Sequence, residues 1–122
     1  HVDVVVHPTD DAVREAYRTA QLLLFPSIYE GFGWPPLEAM AWGCPVVCTT
    51  GGSLAEIVGP AALVGHHEDE AGLAELVCQV LKDEALATDL ADRGRAWVER
   101  YQLSGLHDRV ARVYREIVES PA

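Results

Sequence analysis

Positive charge is scarce in this chain of 122 residues: nine Lys and Arg stand against nineteen Asp and Glu, for a formal net charge of −10. Nucleic acid and anionic membrane surfaces are held by clustered Lys and Arg, so neither is expected as a partner of this part. Long hydrophobic runs are missing as well. The longest apolar stretches are short, such as residues 22–25, against the about 18 residues that mark a membrane-spanning helix, so no membrane contact by this part is expected. Cysteine is sparse. The three thiols, Cys44, Cys48 and Cys78, form no Cys-x-x-Cys pair, which argues against a disulfide framework or a cysteine metal site. Reduced cytoplasmic thiols filling small apolar sites are the expected role. The chain opens on His1 rather than Met, and the next five residues read as a strand. It is therefore expected to be a piece of a larger protein, with any targeting segment upstream of it.

With 49% hydrophobic and 23% charged residues, the composition is that of one globular domain with one modest core. Residues 2–6, 22–25, 45–48 and 62–64 read as short buried strands. Between the first two, Ala12, Ala16, Tyr17 and Ala20 recur at helical spacing behind Thr9 or Asp10 as cap. Another helix must fit between Pro35 and Trp42. Alternating strands and helices build a parallel sheet covered by helices, because parallel neighbours need crossover connections. The fold class is α/β with a Rossmann-like sheet. After Gly65 the pattern changes to three helices, 69–82, 84–101 and 105–119. The last carries Leu106, Val110, Val113, Tyr114 and Ile117 on one stripe and reads as an amphipathic lid or brace.

The chemistry concentrates in residues 27–41, where the second strand ends and a helix begins, the edge at which open α/β sheets bind ligands. Gly31 and Gly33 let the backbone approach a ligand closely, and Pro35 and Pro36 suit the first turn of a helix. Free amides and the dipole of that helix can hold a phosphate or accept sugar hydroxyls without a cationic side chain. Glu30 in the loop and Glu38 one turn into the helix can face one crevice, and a carboxylate accepts from two vicinal hydroxyls at once. Two other candidates read as structural. Ser53-x-x-Glu56 has the form of a capping box, with a donor-facing turn as the alternative. His66, His67, Glu68, Asp69 and Glu70 form an exposed polar loop rather than a metal site, because consecutive residues seldom converge on one ion.

In combination, Pro26-Ser27-x-x-Glu30-Gly-Phe-Gly-x-Pro-Pro-Leu-Glu38-Ala-Met-Ala followed by Gly43-x-Pro45-Val46-Val47 resembles the glutamate-x7-glutamate signature of group 1 glycosyltransferases (family 4). The resemblance continues through residues 51–59, 61–64 and the helix with Arg93-Gly94, so it covers nearly the whole chain. It implies GT-B architecture and a retaining transfer from a nucleotide-diphosphate sugar. Residues 1–122 would then be the partial C-terminal nucleotide-sugar-binding domain, and the acceptor would be held by an N-terminal domain. The same resemblance implies that Glu30 contacts the donor sugar near the reacting carbon, that Gly31 belongs to the donor site, and that the amides of Phe32 and Gly33 contact the sugar hydroxyls. Glu38 would hold the ribose, amides near Leu37 would face the diphosphate, and His7-Pro8 would lie beside the base. No cofactor and no metal are expected beyond the donor substrate. Trp34, Trp42 and Leu103 depart from the family's usual residues.

A diphosphate leaving group calls for nearby positive charge, yet the basic residues before position 90 are Arg14, Arg18 and Lys82, all outside the motif. The resemblance implies an Arg and a Lys upstream, so the isolated chain is expected to be inactive. The competing class is a noncatalytic nucleotide-binding or regulatory module, such as a phosphoacceptor domain built on Asp10-Asp11. That chemistry needs a further strand-end Asp and a strand Lys, whereas Lys82 ends a helix. A degenerate transferase that binds donor and supports a partner protein stays open.

Overall fold

The computed structural model describes residues 1–119. Three short strands, β1 (Leu23–Phe25), β2 (Val46–Thr49) and β3 (Leu63–Gly65), form a parallel sheet in sequential order, with Leu24 opposite Val47 and Cys48 opposite Val64. Helix α1 (Asp10–Thr19) precedes β1; α2 (Trp34–Ala41) connects β1 to β2; α3 (Leu54–Val58) and a 3-10 turn (Gly59–Ala61) connect β2 to β3. Helices α4 (Glu70–Lys82), α5 (Glu84–Val98) and α6 (Leu106–Glu119) complete the chain.

The central strand explains the layering. All four residues of β2 are fully buried, as a parallel strand covered on both faces must be, and successive side chains alternate between the faces. Val46 and Cys48 join Leu37 and Met40 of α2 and Leu54, Ile57 and Val58 of α3 in one cluster. Val47 joins Leu73 and Val80 of α4 and Leu90 of α5 in the other. Helix α5 serves both, because Trp97 and Val98 near its end pack on the first cluster. Burial pushes the Cys48 thiol up to about 11, so it stays an inert neutral filler. Cys78 departs from that role: it lies exposed on α4.

Thr9 caps α1 as expected, its hydroxyl accepting from the Ala12 amide at 3.2 Å. Strand limits shift by a residue, and the 84–101 helix ends at Val98, with a 3-10 turn (Glu99–Tyr101) in place of its last turn. Two expectations are corrected. Residues 2–6 form no strand; Val2, Val4, Val5 and Val6 are 71% to 85% exposed. Among the described residues this segment has no ladder partner, and β-branched residues favour strands only where pairing and burial reward them. Helix α6 forms where its periodicity places it, but Leu106, Val110, Val113, Tyr114 and Ile117 remain 40% to 69% exposed and none is buried. As a lid or brace it closes on nothing among the described residues.

Candidate functional site

Because the three strands run parallel, their C-terminal ends and the loops that leave them share one edge. The loop after β1 carries Glu30, half-buried, with Oε1 accepting from the Ser27 hydroxyl at 3.0 Å. The same hydroxyl lies 3.2 Å from the Tyr29 carbonyl. Glu38 is exposed on α2. Among the described residues neither carboxylate is engaged in an ion pair, so both retain free acceptor capacity.

Gly33 caps α2 in the left-handed region, at φ +96. A Cβ there would come within 2.6 Å of Leu54 Cδ2, so the position needs glycine on both counts. The helix begins at Trp34, and the next two residues are Pro35 and Pro36, which have no N–H. Leu37 comes fourth, where the N–H pairs with the cap carbonyl, and its side chain is only 4% exposed. Free amides at this helix start therefore lie before Leu37. The free donors of this terminus are those of Gly33 and Trp34, preceded by Gly31 and Phe32 in the loop; among the described residues none of these four donates a hydrogen bond to the protein.

Ser53 overturns an expectation. Its φ of −85 and ψ of −4 are helical rather than the extended conformation of a capping residue, and it makes no side-chain cap bond. Its Oγ instead lies 3.2, 3.0 and 3.1 Å from the carbonyl oxygens of Glu30, Gly31 and Phe32. Its own N–H donates to the Glu30 carbonyl at 3.1 Å. Buried Thr49 adds another tie, donating from Oγ1 to the Ser27 carbonyl and accepting from the Gly51 amide at 3.3 Å. The loop after β2 thus grips the loop after β1. The Phe32 ring packs on two others, 4.7 Å from the Trp34 ring and edge-on to Tyr101 at 6.0 Å. Tyr101 and Trp97 both donate to the Ile57 carbonyl, at 3.0 and 2.8 Å. Sequence patterns did not single out Thr49, Trp97 or Tyr101; the signal available was a lone hydroxyl ending an otherwise apolar strand.

Glu38 belongs to a different recess. Together with Asp10, Val13, Arg14 and Tyr17 of α1 and Trp42 it lines a cavity of about 390 Å³ between α1 and α2. Burial first, then the neighbouring Glu38 carboxylate and Cys44, raise the Tyr17 hydroxyl above its ordinary pKa. The Arg18 guanidinium lies 5.9 Å from the Trp42 ring centre, and Arg14 is paired with Asp11 at 2.8 Å. Neither Glu30 nor the 31–33 loop lines this cavity, so the expected single crevice is not enclosed as one cavity. His7, at φ +52, and Pro8 are exposed immediately before α1.

After β3, His66, His67 and Glu68 place one ligand atom each within 4.8 Å of one another. The two imidazoles are stacked, with centroids 4.5 Å apart and planes 25° apart. An imidazole binds a metal in its ring plane, and two such planes meet far from both rings, so this group carries no metal assignment.

The family model described as glycosyl transferases group 1 matches residues 1–97. The chain is 34% identical over 106 residues to O-antigen chain mannosyltransferase B of Escherichia coli, covering 87% of this chain and 28% of that protein. It is 30% identical over 114 residues to MMP alpha-(1->4)-mannosyltransferase of Mycolicibacterium hassiacum, covering 90% and 28% respectively. In three dimensions it is similar to sucrose-phosphate synthase from Thermosynechococcus elongatus, with a TM-score of 0.73 and 30% identity over 86% of this chain and 27% of that one. The chain thus spans less than a third of the length of each of these proteins.

Proposed function

The chain belongs to the group 1 glycosyltransferases, and from that premise we propose that it is the donor-binding portion of a retaining enzyme that transfers a glycosyl group from a nucleotide-diphosphate sugar. The observation that carries this proposal is the loop at the C-terminal sheet edge. It sets the Glu30 carboxylate in one loop with the amides of Gly31, Phe32, Gly33 and Trp34, which have no acceptor among the described residues. Hydroxyl-rich ligands need such a set of alternating acceptors and donors, and the set is available here without a cation.

In this proposal Glu30 faces the sugar, on which positive charge develops as the diphosphate departs, and it stabilises that charge while holding the sugar in place. The amides of Phe32 and Gly33 meet sugar hydroxyls. The amide of Trp34, with the positive end of the α2 dipole, faces the diphosphate at the helix start. Glu38 accepts from the ribose hydroxyls at the rim of the α1–α2 cavity, and His7-Pro8 flanks the base where α1 begins. The acceptor, and the cations that neutralise the phosphates, come from protein outside this chain. No metal has a part. No helix among the described residues is long and apolar enough to cross a membrane, and a cytoplasmic enzyme remains part of the proposal.

The test is Glu30→Gln in the full-length enzyme at saturating donor. Gln keeps an oxygen for the Ser27 hydroxyl and loses the charge, so kcat should fall roughly ten- to thousandfold with a smaller change in KM. A kcat within about twofold of wild type in a folded variant would end the proposal for Glu30. Glu38→Ala should instead raise the donor KM while sparing kcat, because a ribose contact is alike in ground and transition states.

A further inference from the structure

The ties around Ser53 constrain more than the path of the loop. In a trans peptide the C=O of one residue and the N–H of the next point in opposite directions, and the described chain has no cis bond. With the carbonyl oxygens of Glu30, Gly31 and Phe32 all within 3.2 Å of Ser53 Oγ, the N–H groups of Gly31, Phe32 and Gly33 lie on the opposite sides of their peptides from it. Carbonyls that converge on one point make the three amides fan outwards. A fan of donors suits a row of separate acceptors, such as the hydroxyls along one sugar ring, better than a single anion, which needs donors converging on a concave nest.

We propose that Ser53 is a positioning residue for glycosyl transfer: by gathering three carbonyls of the 30–32 segment it aims the 31–33 amides at the donor sugar and sets the height of Glu30 beside it. This rests on the donor site proposed above. Two further features make the grip specific. The Ser53 N–H also holds the Glu30 carbonyl, so backbone and side chain of one residue act on the same peptide. Gly52, at φ +61, lies so close that a Cβ would come within 2.3 Å of the Glu30 carbonyl oxygen; the two loops are in backbone contact with no side chain between them. A single hydroxyl proton shared among three acceptors holds each bond loosely, so the loop can adjust by small steps as a sugar binds and keep its amides outward.

The experiment compares Ser53→Ala, Ser53→Thr and Ser53→Val in the full-length protein. Thr and Val have one shape and differ in the hydroxyl, so this pair separates the grip from packing even if Ala fails to fold. Amide exchange of residues 31–33 should rise at least about threefold in Ala and Val and stay near wild type in Thr. For the donor that the wild type turns over, kcat/KM should fall about ten- to a hundredfold in Ala and Val, carried mainly by kcat, and recover in Thr. Altered melting with an unchanged kcat/KM per folded molecule would overturn the positioning role, as would Thr and Val behaving alike. The Glu30→Gln result separates the two proposals. If that variant keeps full kcat while Val still loosens the 31–33 amides, the donor site is wrong and the purpose assigned to Ser53 falls with it, although the grip itself stands. If Glu30→Gln is impaired and Val is not, Ser53 alone is refuted.

Discussion

The loop after β1 and helix α6 are opposites. The loop has no regular secondary structure, yet Ser53, Thr49, Tyr101 and the backbone of Gly52 hold it from several sides. Helix α6 is regular and strongly amphipathic, yet its apolar stripe has no buried residue among the described residues. Regularity and restraint are thus separate properties. A helix satisfies its own backbone within one turn, whereas an irregular loop must find partners elsewhere for its peptide groups, and here those partners are the neighbouring loops of a parallel sheet.

The sharpest way to break this contrast is at Leu54, which is fully buried beneath Gly33 at the start of α3. Leu54→Ala removes the floor of the loop and should cost about 2–5 kcal/mol in denaturant unfolding of this chain; a loss under about 1 kcal/mol would show that the loop does not rest on that floor. Gly52→Ala should come next. It places a side chain in the left-handed region against the Glu30 carbonyl, at a cost of about 1–3 kcal/mol and with faster exchange of the loop amides. Val113→Ala on α6 should have the smallest effect, within about 0.5 kcal/mol in this chain, because Val113 is half-exposed with no core beside it. A clearly larger loss in the full-length protein than in this chain would sharpen the contrast, by showing that the stripe is covered there.

Much of the candidate site is legible in the sequence alone. The strand-to-helix junction, the place of Gly33, the loop position of Glu30 and the helical position of Glu38 all follow from spacing and from the demands of glycine and proline. What misled was chemistry that looks the same in one dimension. Ser53 followed by Glu56 has the form of a capping box, and only its helical φ and ψ show that the hydroxyl is free to serve the neighbouring loop. Pro35 and Pro36 mark the helix start correctly, yet they also strip that start of two amides, which leaves its free donors before Leu37. Glu30 and Glu38 share a motif, but Glu38 turns to the α1–α2 cavity while Glu30 stays with Ser27.

By itself the sequence determined the alternation of strand and helix, the parallel sense of the sheet and the residues on its loop-bearing edge, because periodicity and backbone angles are encoded within a few neighbouring positions. Tertiary structure alone decided which of these features met a partner. Ser53 reaches Phe32 across 21 positions of chain and Trp97 reaches Ile57 across 40, distances over which no local pattern carries information and only the register of the parallel crossovers does. The same holds in reverse for residues 2–6 and the stripe of α6. Their patterns call for burial, but burial takes a second surface, and a sequence pattern describes only the first.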